Sequence, residues 1–147
     1  MKTLLEMFNR SIEIVLEYHA GQFDKGGYAY EGHPIAVMLK LDTLEEKIVG
    51  LLHDTVEDTK LTLADLVDEG FTGKIIAAIE AITKRPEEHY THYLERVKGN
   101  RLATKVKLKD IEHNTEPTRL SYLGDGTIVR LIRKYARALV YLEDEDE

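Results

Sequence analysis

Apolar residues recur at intervals of three and four along almost the whole chain, a pattern that packed helices bury and sheets do not. Leu4, Leu5, Phe8, Ile12, Val15, Leu16 and His19 follow it, and with Gly21 as a stop they predict a first helix ending near position 20. Asp24-Lys25-Gly26-Gly27-Tyr28 reads as a loop, because paired glycines favour turns and weaken a helix. Pro34 suits the first position of a second helix, with Ile35, Met38 and Leu39 as its apolar side. Thr43 and Glu46 have capping-box spacing and open a helix that carries Ile48, Leu51 and Leu52 inward and ends in the cluster from His53 to Asp58. Thr62 with Asp65 marks another start before a stop at Gly70, and Thr72 precedes the apolar run Ile75-Ile76-Ala77-Ala78-Ile79. Pro86 is placed to open a helix bearing Tyr90, Tyr93, Leu94 and Val97, which Gly99 closes, and Asn100 can cap the next. On that helix Val106, Asp110 and Asn114 share one face, and Pro117 ends it. A last helix carries Ile128, Leu131, Ile132, Tyr135, Leu139 and Leu142. The expectation is an all-α protein, an irregular helical bundle in which residues 1–147 form one domain without linker or repeat.

Composition removes several function classes. There is no Cys, hence no disulfide framework and no thiolate zinc site, and a reducing cytoplasm fits. A net charge of −7 argues against binding a nucleic-acid polymer, which needs a basic surface. Small phosphorylated ligands stay open, since a few local cations or a bound divalent metal suffice for them. The acidic tail at residues 143–147 reads as a solvated end with no part in a site. No apolar run approaches the roughly 20 residues of a membrane span, and the first residues lack the pattern of a secretory signal. Oligomeric state is left open.

The chemistry is concentrated in Leu51-Leu52-His53-Asp54-Thr55-Val56-Glu57-Asp58-Thr59, with His33 upstream and Asp110 far downstream. Adjacent His and Asp offer a metal one neutral nitrogen and one anionic oxygen. Glu57 follows His53 by four residues and would share its helix face. Imidazole with carboxylate suits Mn, Fe, Zn, Co or Ni better than Ca or Mg, and Mn²⁺ is the first choice. Any one of these residues alone is weak: a His before a Pro is more often a turn or core residue than a ligand. The combination carries the reading of a hydrolytic metal site. Lys25 and Lys84 can face phosphate or solvent, and Tyr30 can line a nucleoside pocket or simply pack. His89 and His92 read as surface residues, and His19 and His113 as hydrogen-bonded neighbours of a site.

These residues, in their surroundings, resemble the hydrolase domain of the RelA/SpoT family within the HD superfamily of metal phosphohydrolases. The resemblance rests on His19-Ala20-Gly21-Gln22 with Lys25 and Gly27, Tyr30-Glu31-Gly32-His33-Pro34, Leu51 through Thr59, Ile82-Thr83-Lys84, and Val106-Lys107-Leu108-Lys109-Asp110 with His113-Asn114. It implies an HD-domain helical hydrolase that removes 3′-pyrophosphate from guanosine alarmones such as ppGpp and pppGpp with Mn²⁺. His33, His53, Asp54 and Asp110 would hold the metal, Glu57 and Asp58 would manage the attacking water and the leaving group's proton, and Asn114 would contact ribose or phosphate. Two positions depart from the pattern: Asp24 and Ile111 stand where the family usually has arginine. They motivate two alternatives: an HD phosphohydrolase for another nucleotide, and a nucleotide-sensing module without turnover.

Overall fold

The computed structural model describes residues 2–144, and among these it contains ten helical segments and no strand beyond an isolated bridge between Phe23 and Ala29. In chain order they are α1 (Leu4–Tyr18), α2 (Gly32–Leu39), α3 (Leu44–Leu52), α4 (Thr55–Asp58), α5 (Leu63–Asp68), α6 (Gly73–Ile82), α7 (Tyr90–Lys98), α8 (Arg101–Asn114), α9 (Pro117–Leu120) and α10 (Asp125–Glu143). The all-α expectation holds. Of the acidic tail, Glu143 closes α10 and Asp144 is its C-cap, while residues 145–147 lie outside the described part.

Local chemistry sets most of these boundaries. Reciprocal capping boxes start α1 (Thr3 with Glu6), α3 (Thr43 with Glu46) and α5 (Thr62 with Asp65), and the Asn100 side chain accepts the Ala103 N–H at the start of α8. Four local expectations change. The buried side of α1 is Met7, Ser11, Ile14 and Val15, while Leu4, Leu5 and Leu16 face outward. On α2 the buried residues are His33, Pro34 and Val37 and Leu39 is exposed; Pro34 is third rather than first, at a position where its missing N–H is equally harmless. Pro86 does not open α7, because Glu87 takes a positive φ of 62° and the Glu88 carboxylate, bound by Arg96, shapes a turn that delays the helix to Tyr90. The fourth change concerns the motif itself: α3 stops at Leu52, and Glu57 and Asp58 ride on a separate single-turn helix.

That break has a visible cause. The His53 Nδ1–H donates to the Gly50 carbonyl at 2.6 Å and the Thr55 hydroxyl donates to the Leu52 carbonyl at 2.7 Å. Side chains thus satisfy acceptors that the next turn of helix would have used. The core gathers around α3, which packs on α1, α2, α6 and α8. Ile48, Val49, Leu51 and Leu52 are fully buried there with Ile75, Ala78 and Ile79 of α6 and Ala103, Val106 and Ile111 of α8. Ile111 is therefore a core residue, not a position facing the cleft. A β-carbon at Gly50 would lie 2.7 Å from the Leu41 side chain, so glycine there lets α2 and α3 approach. Among the described residues no helix is long and apolar enough to cross a membrane.

Candidate metal centre and its two clefts

α2, α3 and α8 deliver their polar ends to one point. His33 Nε2 lies 2.8 Å from Asp110 Oδ1 and 3.7 Å from Asp54 Oδ2, and His53 Nε2 lies 3.2 Å from each of those oxygens. His33, His53 and Asp54 each present one donor atom, all within 4.8 Å of one another, and Asp110 adds its oxygen against both imidazoles. Ligands at about 2.0–2.2 Å from a common ion must lie about 3 Å from each other. The observed separations meet that requirement. Both imidazoles and the Asp110 carboxylate are buried, so the donors are withdrawn from bulk water.

The surroundings orient these donors. His53 gives its Nδ1–H to Gly50, so Nε2 is the nitrogen offered to the centre, as a metal-binding imidazole requires. His33 Nδ1 meets His113 Nδ1 at 2.8 Å. Burial, then the charges of His33 and Arg119, push His113 down to about 4, so it is neutral and accepts the His33 proton. The Tyr30 hydroxyl donates to Asp54 Oδ2 at 2.6 Å; burial first and that carboxylate second raise its pKa, keeping the proton on the phenol. Lys107, one turn before Asp110, donates to Oδ2 at 2.8 Å, leaving Oδ1 for the imidazoles. Asn114 reaches that Oδ1 at 3.2 Å from the next turn.

Without a cation these charges lean on each other. Burial disfavours the Asp110 charge, but Lys107 and the two imidazoles outweigh it and hold the carboxyl well below the ordinary range. Asp54 is held low against burial by His53, and His53 is raised against its own burial by Asp54 and Asp110. A divalent ion would take the place of imidazole protons, which is the exchange expected of a metal site. The donor set fits one.

Glu57 and Asp58 open onto the same cleft. Glu57 accepts the Lys84 backbone N–H at 2.9 Å, and partial burial followed by the Asp54 charge raises its pKa. Burial and the charges of Asp54 and Glu57 push Asp58 up to about 6. Gln22 donates to the Asp58 carbonyl and accepts from His19 Nδ1 at 2.9 Å, tying the end of α1 to α4. This inner cleft, about 250 Å³, also receives Lys84, Lys107, Lys134, Tyr90 and Tyr93.

A second, outer cleft of about 690 Å³ adjoins it, and Tyr30, His33, Asn114, Arg119 and Tyr135 line both. Its far wall holds the exposed rings of Phe23, Tyr28 and Tyr122 with Leu123 and Leu131. Asp24 does not project freely here. Its Oδ1 accepts the N–H groups of Gly26 and Tyr28, both at 2.9 Å, and its Oδ2 lies 3.5 Å from Arg119 Nη1. Arg119 in turn donates to Asn114 at 3.2 Å. The Tyr122 hydroxyl donates to that of Tyr28 at 3.0 Å, and the Tyr122 ring lies 2.8 Å from where a β-carbon at Gly26 would stand.

The structure thus brings His33, His53, Asp54, Asp110, Glu57, Asp58, Tyr30, Lys84 and Asn114 to one cleft and sets Lys25 apart, exposed on the outer wall. Sequence reasoning missed Lys107 and Lys134 as lining residues, while Arg119, one of two positions at which the resemblance looks for an arginine after Asn114, lines both clefts. Lys107 precedes Asp110 by three residues, a helical pairing that could have marked it. Lys134 lies on an amphipathic helix and carries no such signal.

The helical bundle thus folds a His, a His-Asp dipeptide and a distant Asp onto one point. Over 93% of its length the chain superposes with a TM-score of 0.80 on 85% of a solved metazoan ortholog of SpoT, described as hydrolysing ppGpp, at 18% identity. Among curated proteins it is 36% identical over 84 residues to a guanosine-3′,5′-bis(diphosphate) 3′-pyrophosphohydrolase of Borreliella burgdorferi, covering 54% of this chain and 12% of the relative. The same named enzyme of Aquifex aeolicus is 39% identical over 83 residues, again 54% of this chain and 12% of the relative. A GTP pyrophosphokinase of Streptomyces coelicolor is 36% identical over 84 residues, 54% of this chain and 10% of the relative. No family model matches. Over about half of its length the chain is thus similar in sequence to RelA/SpoT-type proteins, and it spans only about a tenth of the length of these curated relatives.

Proposed function

We propose that this chain, as one HD domain, is a cytoplasmic metal-dependent phosphohydrolase that removes 3′-pyrophosphate from guanosine alarmones (ppGpp and pppGpp). The observation that carries this is the meeting of His33, His53, Asp54 and Asp110 beside Glu57 and Asp58 in a cleft that opens into a larger aromatic one. The names of the relatives supply the substrate. His33 Nε2, His53 Nε2, Asp54 and Asp110 would hold the ion, with Mn²⁺ the first choice because two imidazoles and two carboxylates suit it. Bound there, a divalent ion polarises a phosphoryl oxygen and lowers the pKa of water.

The protein's own groups do the rest. Tyr30 and Lys107 fix the two carboxylates, and Gly50 and His113 fix the two imidazoles. Glu57 and Asp58, at the mouth, are the groups that orient the attacking water and move its proton and that of the leaving oxygen. Asn114 and Lys84 contact the sugar–phosphate region, and Lys25 meets the part of the substrate that reaches the outer wall. To test this, metal-loaded protein is incubated with ppGpp and pppGpp and pyrophosphate release is followed. Release no faster than in a metal-only control defeats the substrate assignment.

One observation favours a second reading. Asp24 places a carboxylate on the outer cleft and engages Arg119, which lowers the net positive charge available to a second phosphate cluster. A nucleotide other than an alarmone would then be the substrate. A panel of NADPH, deoxynucleoside monophosphates and cyclic nucleotides separates the two.

A further inference from the structure

The mechanism above gives Lys134, a cation of the inner cleft, no role. Lys134, on α10, lines the cleft together with the four metal-donor residues, Glu57 and Asp58. Its ammonium stands 4.3 Å from the centroid of the Tyr90 ring and 5.6 Å from that of Tyr135, and among the described residues no carboxylate pairs with it. Lys107 is spent on Asp110, whereas Lys84 gives only its backbone N–H to Glu57, which leaves its ammonium to the cleft beside Lys134. On the same wall the Tyr90 hydroxyl has no hydrogen-bond partner. Burial, then the charges of Lys107, Lys84 and Arg130, lower the Lys134 pKa against a smaller opposing pull from Asp110. Aromatic faces hold an ammonium in place without neutralising it. Once a dication joins the four carboxylates, three lysines and Arg119 of the cleft, positive charge is in surplus.

We propose that Lys134, with Lys84 beside it, binds the outer phosphoryl group of a pyrophosphoryl substrate whose inner phosphoryl group sits at the metal donors, so that the cleft selects diphosphate over monophosphate esters. This rests on the phosphohydrolase reading of the site but not on guanosine. The inner cleft then has two phosphoryl positions, one set by the ends of α2, α3 and α8 and one by Lys134 of α10 with Lys84.

Calorimetric titration of Mn²⁺-loaded protein with methylenediphosphonate and with methylphosphonate tests this without turnover. The wild-type protein should prefer the diphosphonate by about tenfold or more, the worth of one charge-assisted contact. Lys134→Gln should lose that preference, Lys134→Arg should keep most of it, and Arg137→Gln, which removes a charge from an exposed part of the same helix, should leave it unchanged. Circular dichroism and thermal unfolding check that each variant is folded. No preference in the wild-type protein, or an equal preference in folded Lys134→Gln, overturns the proposal. A preserved preference without ppGpp turnover overturns only the alarmone assignment.

Discussion

The inner and outer clefts share five lining residues yet are built in opposite ways. The four inner donors come from helix ends, three of them buried and Asp54 partly so, and each is held by a second group: His53 by Gly50, His33 by His113, Asp54 by Tyr30, Asp110 by Lys107. Outer groups come from the 22–31 loop and the α9–α10 junction, and their aromatic rings are more than half exposed at Phe23, Tyr28 and Tyr122. Chemistry that depends on ångström placement sits on helices, and contact with the variable part of a ligand sits on a loop. Substitutions should therefore be far more costly inside than outside.

The largest expected effect is at the inner mouth. Glu57→Ala should lower turnover by about 10²–10⁴, the usual share of acid–base catalysis, while Mn²⁺ affinity measured by calorimetry stays near wild type. Turnover that survives in this variant removes Glu57 from the acid–base role, and binding without turnover of any substrate in the panel by the wild-type protein favours the nucleotide-sensing alternative. Asp54→Asn removes an anionic donor and should weaken Mn²⁺ binding by more than the about 10- to 100-fold typical of an outer partner; unchanged affinity contradicts its place in the ligand set.

Tyr30→Phe sharpens the contrast, because it leaves every donor in place and deletes only the bond to Asp54 Oδ2. Metal affinity should fall by about tenfold. Metal content after dialysis reports it. Chelation should lower the thermal midpoint, since an ion at 100 times its dissociation constant contributes about 2.7 kcal/mol. The shift should vanish in Asp54→Asn. The smallest effect belongs outside: Tyr122→Phe deletes the phenol contact to Tyr28 and should leave the thermal midpoint near wild type, with KM moving and kcat constant. A large fall in kcat there would erase the distinction between the clefts.

Much of this organisation was readable in advance, for reasons that differ by level. Capping boxes at Thr43 and Thr62 are local chemistry, so α3 and α5 began where expected. The convergence of His33, His53, Asp54 and Asp110 could be anticipated only as a set, since no spacing rule joins His33 to Asp110 across 77 residues. The break after Leu52 was hidden because its cause is a His53 side chain turned back to Gly50, a tertiary choice that helix periodicity does not encode. Leu4, Leu5 and Leu16 fit helical spacing and yet point outward, because spacing fixes a shared face but not which face meets the core. The role of Asp24 was invisible for the same kind of reason: its charge is read by two loop amides and by Arg119, ninety-five positions away.

The Tyr28–Tyr122 contact closes the outer rim like a clasp, with one ring seated on bare Gly26. Unfastening it breaks no more than one solvent-exposed neutral hydrogen bond. Bulkier ligands are then admitted without disturbing the helices beneath. A lineage of such proteins trades one ligand for the next by re-tailoring this rim, while the donor cluster underneath stays as inherited.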